Sequence, residues 1–372
     1  MTQAEGMLPN PIAVQPPDHP GWSNLALAQA EFDPEVVYLN TASLGLPPRR
    51  GLRALQTVLQ DWRAGTAGPP DYDLPLEAAR TSYAGLVGVD PAQVAVGSQV
   101  SQFAGLVAAN LPTGSEVLIV DGEFTSMVFP FLAQAERGVQ VRSVPLERLP
   151  EAVTASTTLV AVSAVQSADG RLVDLDALVD ACVATGTRIL LDTTQAVGWL
   201  PIDASRFAYT VGGGYKWLLA PRGTCFFTVT PEFTRDLVPH AAGWYAGGDR
   251  WDSLYGGPLR LADDARRFDL SPAWHSWVAQ APALELLTEI GPAVLHTHSL
   301  GLANRFRAAV DLPPGDSAIV SLATDAGVAE RLERARVVGG FRAGRLRLAF
   351  HLYNTEDDVA RAADAVAGHV EV

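Results

Sequence analysis

Short apolar runs recur along the chain, separated by longer segments with apolar residues three or four apart. The runs are Glu35 to Asn40, Gln93 to Val96, Glu116 to Val120, Thr158 to Ala164, Arg188 to Leu191 and Phe207 to Val211. Each has strand length, and turn-forming residues bound most of them. Between them, Arg49 to Thr66 places Leu52, Leu55, Val58, Leu59 and Trp62 on one side of a helix. Leu74 to Val87 reads as a second helix, stopped at Gly88, and Asp174 to Thr185 as an amphipathic one. Strands alternating with helices predict an α/β fold built on a parallel, doubly wound sheet. Residues 1–20, rich in proline and polar groups, read as a poorly ordered arm. A large domain is expected over 21–285 and a small C-terminal α/β domain over 286–372. The latter opens inside a helical stretch, residues 276–310, and contains a strand from Gly344 to Phe350. Thr355 with Asp358 gives its last helix a capping-box start.

A chain of 372 residues has room for one large and one smaller domain. With 48% hydrophobic and 18% charged residues, its composition is that of an ordinary globular protein. A net charge of −14 argues against nucleic acid and anionic membrane surfaces as partners. It leaves a phosphate-bearing cofactor open, because local donors decide that. Cys182 and Cys225, the only cysteines, sit in apolar contexts and form neither a disulfide framework nor a zinc spacing. No apolar run reaches transmembrane length, and the N-terminus lacks a basic, apolar leader pattern. A cytoplasmic enzyme is the expectation.

The chemistry concentrates in one stretch. The run Arg188 to Leu191 ends on Asp192, and the run Phe207 to Val211 leads through Gly212-Gly213-Gly214-Tyr215 to Lys216. In an open α/β sheet, ligands gather at the carboxyl ends of strands, so Asp192 and Lys216 are expected to face one cleft. A lysine and an acid so placed suit pyridoxal phosphate, the lysine bonding to the aldehyde and the acid to the ring nitrogen. Spacing alone leaves the ordinary alternative open: two solvated charges at strand ends and a tight glycine turn. Gly97-Ser98-Gln99-Val100-Ser101, a small polar turn before a helix, supplies a ready anion site; Ser98 and Gln99 are candidate phosphate contacts, with Ser98 as an N-cap the competing role.

The string Asp192-Thr193-Thr194-Gln195-Ala196-Val197-Gly198, followed by Lys216-Trp217-Leu218-Leu219-Ala220-Pro221-Arg222-Gly223, resembles the class V group of pyridoxal-phosphate enzymes. That resemblance implies fold type I, with a mostly parallel sheet in the large domain. It makes Lys216 and Asp192 the catalytic pair. It also implies that Gln195 donates to the cofactor's phenolic oxygen, that Phe124 stacks on its ring, and that the Tyr215 hydroxyl reaches its phosphate where desulfurases use a serine at the position of Gly213. The entry turn around Ser43, in Tyr38-Leu39-Asn40-Thr41-Ala42-Ser43-Leu44-Gly45, lies beside the substrate in that group. Gln166 is a further candidate in the loop after Ala164. Arg267-Phe268-Asp269-Leu270-Ser271-Pro272 resembles a segment that crosses a dimer interface, so Ser271 is expected at the phosphate of a second subunit and the protein is expected to be a homodimer. Gly243-Trp244-Tyr245-Ala246-Gly247 resembles a kynureninase stretch, making Trp244 a substrate contact, but Gly247 stands where a histidine is expected. Trp274 and Trp277 read as pocket wall or core. Arg347, six residues before Tyr353-Asn354-Thr355, corresponds to the carboxylate-binding arginine, with Arg345 the alternative.

An amino-acid substrate follows from the resemblance. A desulfurase needs a mobile cysteine in its C-terminal third, and nothing after Cys225 is cysteine. Gly247 weakens kynurenine hydrolysis. β-Elimination from a cysteine S-conjugate, a C–S lyase of secondary metabolism, is the leading expectation because it needs only Lys216 and an electron sink. Transamination, epimerisation, oxidative decarboxylating deamination and a kynureninase-like reaction are alternatives, and a non-catalytic pyridoxal-phosphate-binding protein is a further one.

Overall fold

The computed structural model describes residues 20–370. The arm expected over 1–20 therefore lies, up to His19, outside the described residues; Pro20 already opens a helix, Pro20–Gln29. In chain order the strands are β1 (Val37–Tyr38), β2 (Val94–Gly97), β3 (Glu116–Val120), β4 (Gln140–Val144), β5 (Thr157–Ser163) and β6 (Arg188–Asp192). They continue with β7 (Tyr209–Gly213), β8 (Cys225–Val229), β9 (Ile319–Leu322), β10 (Val337–Val338), β11 (Gly340–Arg342) and β12 (Arg345–Ala349).

Seven of these form one sheet in the order β2-β8-β7-β6-β5-β3-β4. Pairing is parallel from β7 through β6, β5 and β3 to β4. Only β8 runs against its neighbours, pairing antiparallel with both β7 and β2. The sheet is thus mostly parallel, as expected, and both faces are covered. One apolar cluster gathers Val96, Leu118, Val162, Leu191 and Phe226; the other gathers Ala95, Val117, Ala161, Leu190 and Phe227. Alternate residues of β2, β3, β5, β6 and β8 enter opposite clusters, which is why those strands read as unbroken apolar runs.

A smaller antiparallel sheet, β11-β12-β9, packs with helices Pro292–Ala309 and Glu356–Val366. The helical stretch 276–310 proves to be two helices, Trp274–Ile290 and Pro292–Ala309, divided at Gly291 with φ of 86°. The Thr355 capping box forms: Thr355 N–H donates to Asp358 (3.0 Å), and Asp358 N–H to the Thr355 hydroxyl (3.3 Å). The strand expected over Glu35 to Asn40 shrinks to β1 and leaves the main sheet, pairing with β10 beside the small one. Val37 and Leu39 pack there, and Asn40 bridges Ala349. The N-terminal entry turn is thereby held where the two sheets meet. Among the described residues no helix is long and apolar enough to cross a membrane.

Candidate active site

Parallel pairing aligns the carboxyl ends of β5, β6 and β7: Ser163 lies opposite Asp192, and Asp192 opposite Val211. A cleft opens there, as expected at the strand ends of such a sheet. Asp192, Lys216, Gln195, Phe124, Ser98, Gln99 and Tyr215 all line it. Lys216 is the only lysine in the chain, against 26 arginines. It is 6% exposed. A chain that meets every other cationic need with arginine keeps one primary side-chain amine and buries it. That count was the strongest unused sequence signal for this residue.

Burial lowers the Lys216 pKa to about 8 despite the attraction of Asp192, and Arg347, Arg342 and Arg222 push the same way. Burial also pushes the Asp192 carboxyl up to about 6, against a 2.8 Å hydrogen bond from Thr194 N–H to its Oδ1. The nearby Glu123 charge adds to the rise. These two groups are therefore poised in the neutral range, where proton transfer is most effective.

The cleft is braced from behind. Trp217 Nε1 donates to Gln195 Oε1 at 2.8 Å, so the Gln195 amino group faces outward, bonding Ala42 O at 2.9 Å and reaching Ser167 Oγ at 3.4 Å. Glu123, absent from the sequence-derived candidates, accepts from Phe124 N–H (2.7 Å), Ser163 N–H (2.8 Å), Ser163 Oγ (2.6 Å) and Gln166 Nε2 (3.1 Å). It fixes the end of β5 and the backbone of Phe124. The same contact corrects the expectation for Gln166: its amide is spent on Glu123 and turned from the cleft, and Ser167 lines the wall instead. The Phe124 ring stays 45% exposed, its centroid 5.6 Å from Lys216 Nζ. Two glycines allow the close approaches. A Cβ on Gly45 would stand 1.9 Å from Lys216 O, and one on Gly214 would collide with Gln280 Oε1 at 2.0 Å. Gly45 N–H bonds Tyr215 O at 2.9 Å, tying the entry turn to the lysine loop.

The fit to pyridoxal phosphate can be tested on these residues. The helix Val100–Asn110 starts at Gln99 without a side-chain cap. Its first amides and the Ser98 hydroxyl thus remain open to a phosphate, the Ser98 N–H being held by Gln102 Oε1 at 3.2 Å, and the role of Ser98 as N-cap is not realised. The Tyr215 ring lies 3.3 Å from where a Cβ on Gly213 would be, so it fills the space of the missing serine. Arg222 sits over that ring, 5.2 Å from its centroid. An anion cradle, a half-exposed aromatic face, a buried acid and a buried amine share one cleft, and the donor set fits the cofactor. Among the described residues no cluster suits a metal ion.

Arg347 is 1% exposed; its guanidinium bonds Ser43 Oγ at 2.8 Å and the Ser167 carbonyl. Burial, with Arg342 beside it, lowers its pKa to about 10, leaving it fully charged at neutral pH. Arg345 turns away to Ser321, so the buried arginine of the pair is Arg347. Arg347 and Ser43 stand behind the cleft wall and reach it through Ser167, whereas two other expected residues are away from the cleft of their own chain. Trp244 packs on Tyr245 and Trp251, and Ser271 is exposed outside it. Trp277 is core, against Phe226, and Trp274 stacks on Tyr72.

The comparisons agree with this geometry. The sequence profile described as Aminotransferase class-V matches residues 74–326. The chain is 30% identical to isopenicillin N epimerase of Streptomyces clavuligerus, over 90% of this chain and 95% of that protein. It is 26% identical to kynureninase of Deinococcus radiodurans, over 92% of each. In fold it superposes on the Escherichia coli cysteine desulfurase CsdA with a TM-score of 0.78 at 20% identity, covering 92% of this chain and 97% of that one. The cystine C–S lyase C-DES gives 0.80, also at 20% identity, over 90% and 98%. The chain belongs to the class V aminotransferases, pyridoxal-phosphate-dependent enzymes of fold type I.

Proposed function

We propose that the protein is a C–S lyase, cleaving the Cβ–S bond of a cysteine S-conjugate by β-elimination. One observation supports this above the rest. Asp192 and Lys216 are the cleft groups whose pKa values lie between about 6 and 8, and with Asp192 at the ring nitrogen only Lys216 is left to move the Cα proton. Pyridoxal phosphate, when bound, supplies the electron sink for the bond broken at Cα. In this reading Lys216 holds the cofactor and then takes that proton. Ser98, Gln99 and Tyr215 hold the phosphate, Gln195 faces the phenolic oxygen, and Phe124 covers the ring. Arg347 grips the substrate carboxylate, with Ser43 beside it. The overall reaction consumes one water and yields a thiol, pyruvate and ammonium.

Persulfide transfer suits the chain poorly. Cys225 is wholly buried in β8 and Cys182 nearly so, and burial pushes both thiols up, Cys182 to about 11. Epimerisation at Cα is the second reading, favoured by the relative that is 30% identical. A two-base epimerisation needs an acid–base group on each face of Cα, and in this reading Asp192 and Tyr215 are taken up by the cofactor, leaving Lys216. Incubation with cysteine S-conjugates separates the readings. Pyruvate and free thiol in equal amounts support the lyase; loss of optical rotation with the substrate intact supports the epimerase and overturns it. We also infer a homodimer, in which Ser271 and Trp244 face the other subunit's cleft. The exposed Leu52, Leu59 and Trp62 on helix Arg49–Ala64 favour such a contact, and sedimentation at micromolar concentration tests it.

A lysine attacks an aldehyde only when neutral. With a pKa of about 8, half of the Lys216 amines are neutral at pH 8, against about 0.3% for an ordinary lysine. The rate at which the cofactor-free protein takes up pyridoxal phosphate, followed by absorbance, is expected to rise about sixteenfold between pH 6.5 and 8 and level off above 9. A rate still climbing at pH 10 would contradict this.

A further inference from the structure

The sequence Phe341-Arg342-Ala343-Gly344-Arg345-Leu346-Arg347 folds into a tight hairpin, β11 to β12, joined to the cleft wall by Arg347 on the Ser167 carbonyl and close enough for both Arg342 and Arg347 to act on the charge of Lys216. Its register sets Arg342 opposite Arg345 and Gly340 opposite Arg347. Like charges directly opposite one another destabilise a strand pair, so this arrangement needs a reason. Arg345 is relieved by Ser321. Arg342 and Arg347 form no ion pair among the described residues.

They converge instead on one atom. Arg347 Nη2 donates to Ser43 Oγ at 2.8 Å, and Arg342 Nη2 donates to the same oxygen at 3.1 Å. Both lone pairs of that hydroxyl are then used, and its hydrogen can only be donated. No described residue accepts it. Two guanidinium groups flanking an obligate donor make a slot for oxyanions. Gly340, opposite Arg347, lets the strand lie close to Asn40, where a Cβ would come within 2.8 Å of Oδ1. The two arginines sit at different depths. Arg347 is buried and anchored on Ser167, whereas Arg342 is exposed at the rim. One α-carboxylate is served by Arg347 and the Ser43 hydroxyl. Arg342 brings a further positive charge that pairs with no described carboxylate, its other contact being the Phe341 carbonyl at 2.7 Å.

We propose that Arg342 determines specificity by binding a second carboxylate carried on the substrate's side chain, while Arg347 takes the α-carboxylate. The substrate class is an amino acid or conjugate with an acidic group beyond Cβ. This rests on the pyridoxal-phosphate reading of the same cleft and names what that cleft selects.

The test uses ligands that lack a Cα proton and cannot turn over: α-methylaspartate, α-methylglutamate and α-methyl-2-aminoadipate, each against its side-chain amide. Dissociation constants are measured by calorimetry on the cofactor-loaded enzyme. At least one acid is expected to bind about tenfold or more tightly than its amide. In R342A that preference falls to about unity, while the amide's affinity and the cofactor absorbance change less than twofold; R342K retains part of the preference. An unchanged thermal transition in R342A shows that the fold is intact. Absence of acid preference in all three pairs overturns the proposal, and so does an equal loss for acid and amide, which would place both arginines on the α-carboxylate. A protein that takes up no cofactor fails before any ligand is added, and that result condemns the pyridoxal-phosphate reading instead.

Discussion

Lys216→Ala is expected to lower turnover by about 10³-fold or more and to remove the covalent cofactor chromophore. Loss of a positioned proton-transfer group alone typically costs 10²–10⁴-fold, and the same amine carries the cofactor. The variant should fold. Burial already holds the Lys216 pKa down at about 8, so the charged form gains little from its surroundings, and its removal spares the fold a buried, partly charged group. Stopped-assay turnover and an absorbance spectrum check this. Turnover within tenfold of the wild-type value would show that another group moves the proton.

Asp192→Asn is expected to act in opposite directions on function and stability. Asparagine keeps an oxygen for Thr194 N–H, now at 2.8 Å, but cannot hold a proton on the cofactor nitrogen. Activity should fall by 10²-fold or more, as for loss of a preorganised electrostatic partner. The cofactor-free protein should gain stability. The Asp192 carboxyl has a pKa of about 6 in the fold against 3.8 for a free side chain. A group whose pKa is raised by folding contributes stability below its unfolded value and loses it as pH rises through its folded value. At pH 8 the buried charge costs about 3 kcal/mol, at 1.36 kcal/mol per unit. Urea unfolding without cofactor should show D192N more stable by about 2–3 kcal/mol at pH 8, the gap closing to under about 1 kcal/mol at pH 4. A D192N chain less stable than wild type at pH 8 would refute the burial argument.

What could be read from the sequence was whatever depends on near neighbours. Glu116 to Val120 matches β3 residue for residue, and the Thr355 cap needs only Asp358 three positions on. Asp192 was legible because a buried apolar run ending on an acid is a local feature. The reversal of β8 and the pairing of β1 with β10 depend on partners far along the chain, which no local period encodes. Strand β4 escaped notice because its residues are half-buried to exposed at the sheet edge, so its pattern is not continuously apolar. The apolar side read on helix Arg49–Ala64 exists, yet Leu52, Leu59 and Trp62 on it are exposed in the single chain. Gln166 and Ser167 are adjacent in sequence, and only the position of Glu123 decides which of them turns to the cleft. Ser43 is 299 residues from Arg342 and 304 from Arg347, and its meeting with them is a property of the fold alone.

The central claim is a covalent bond between the one lysine and pyridoxal phosphate, and the chain makes it simple to test. Borohydride reduction of the loaded protein, followed by peptide mass mapping, has a single side-chain amine to find. The account predicts one stoichiometric label on the peptide containing Tyr215-Lys216-Trp217, absent from K216A. A reduced protein with no label there, or with its label at the α-amine alone, would contradict it.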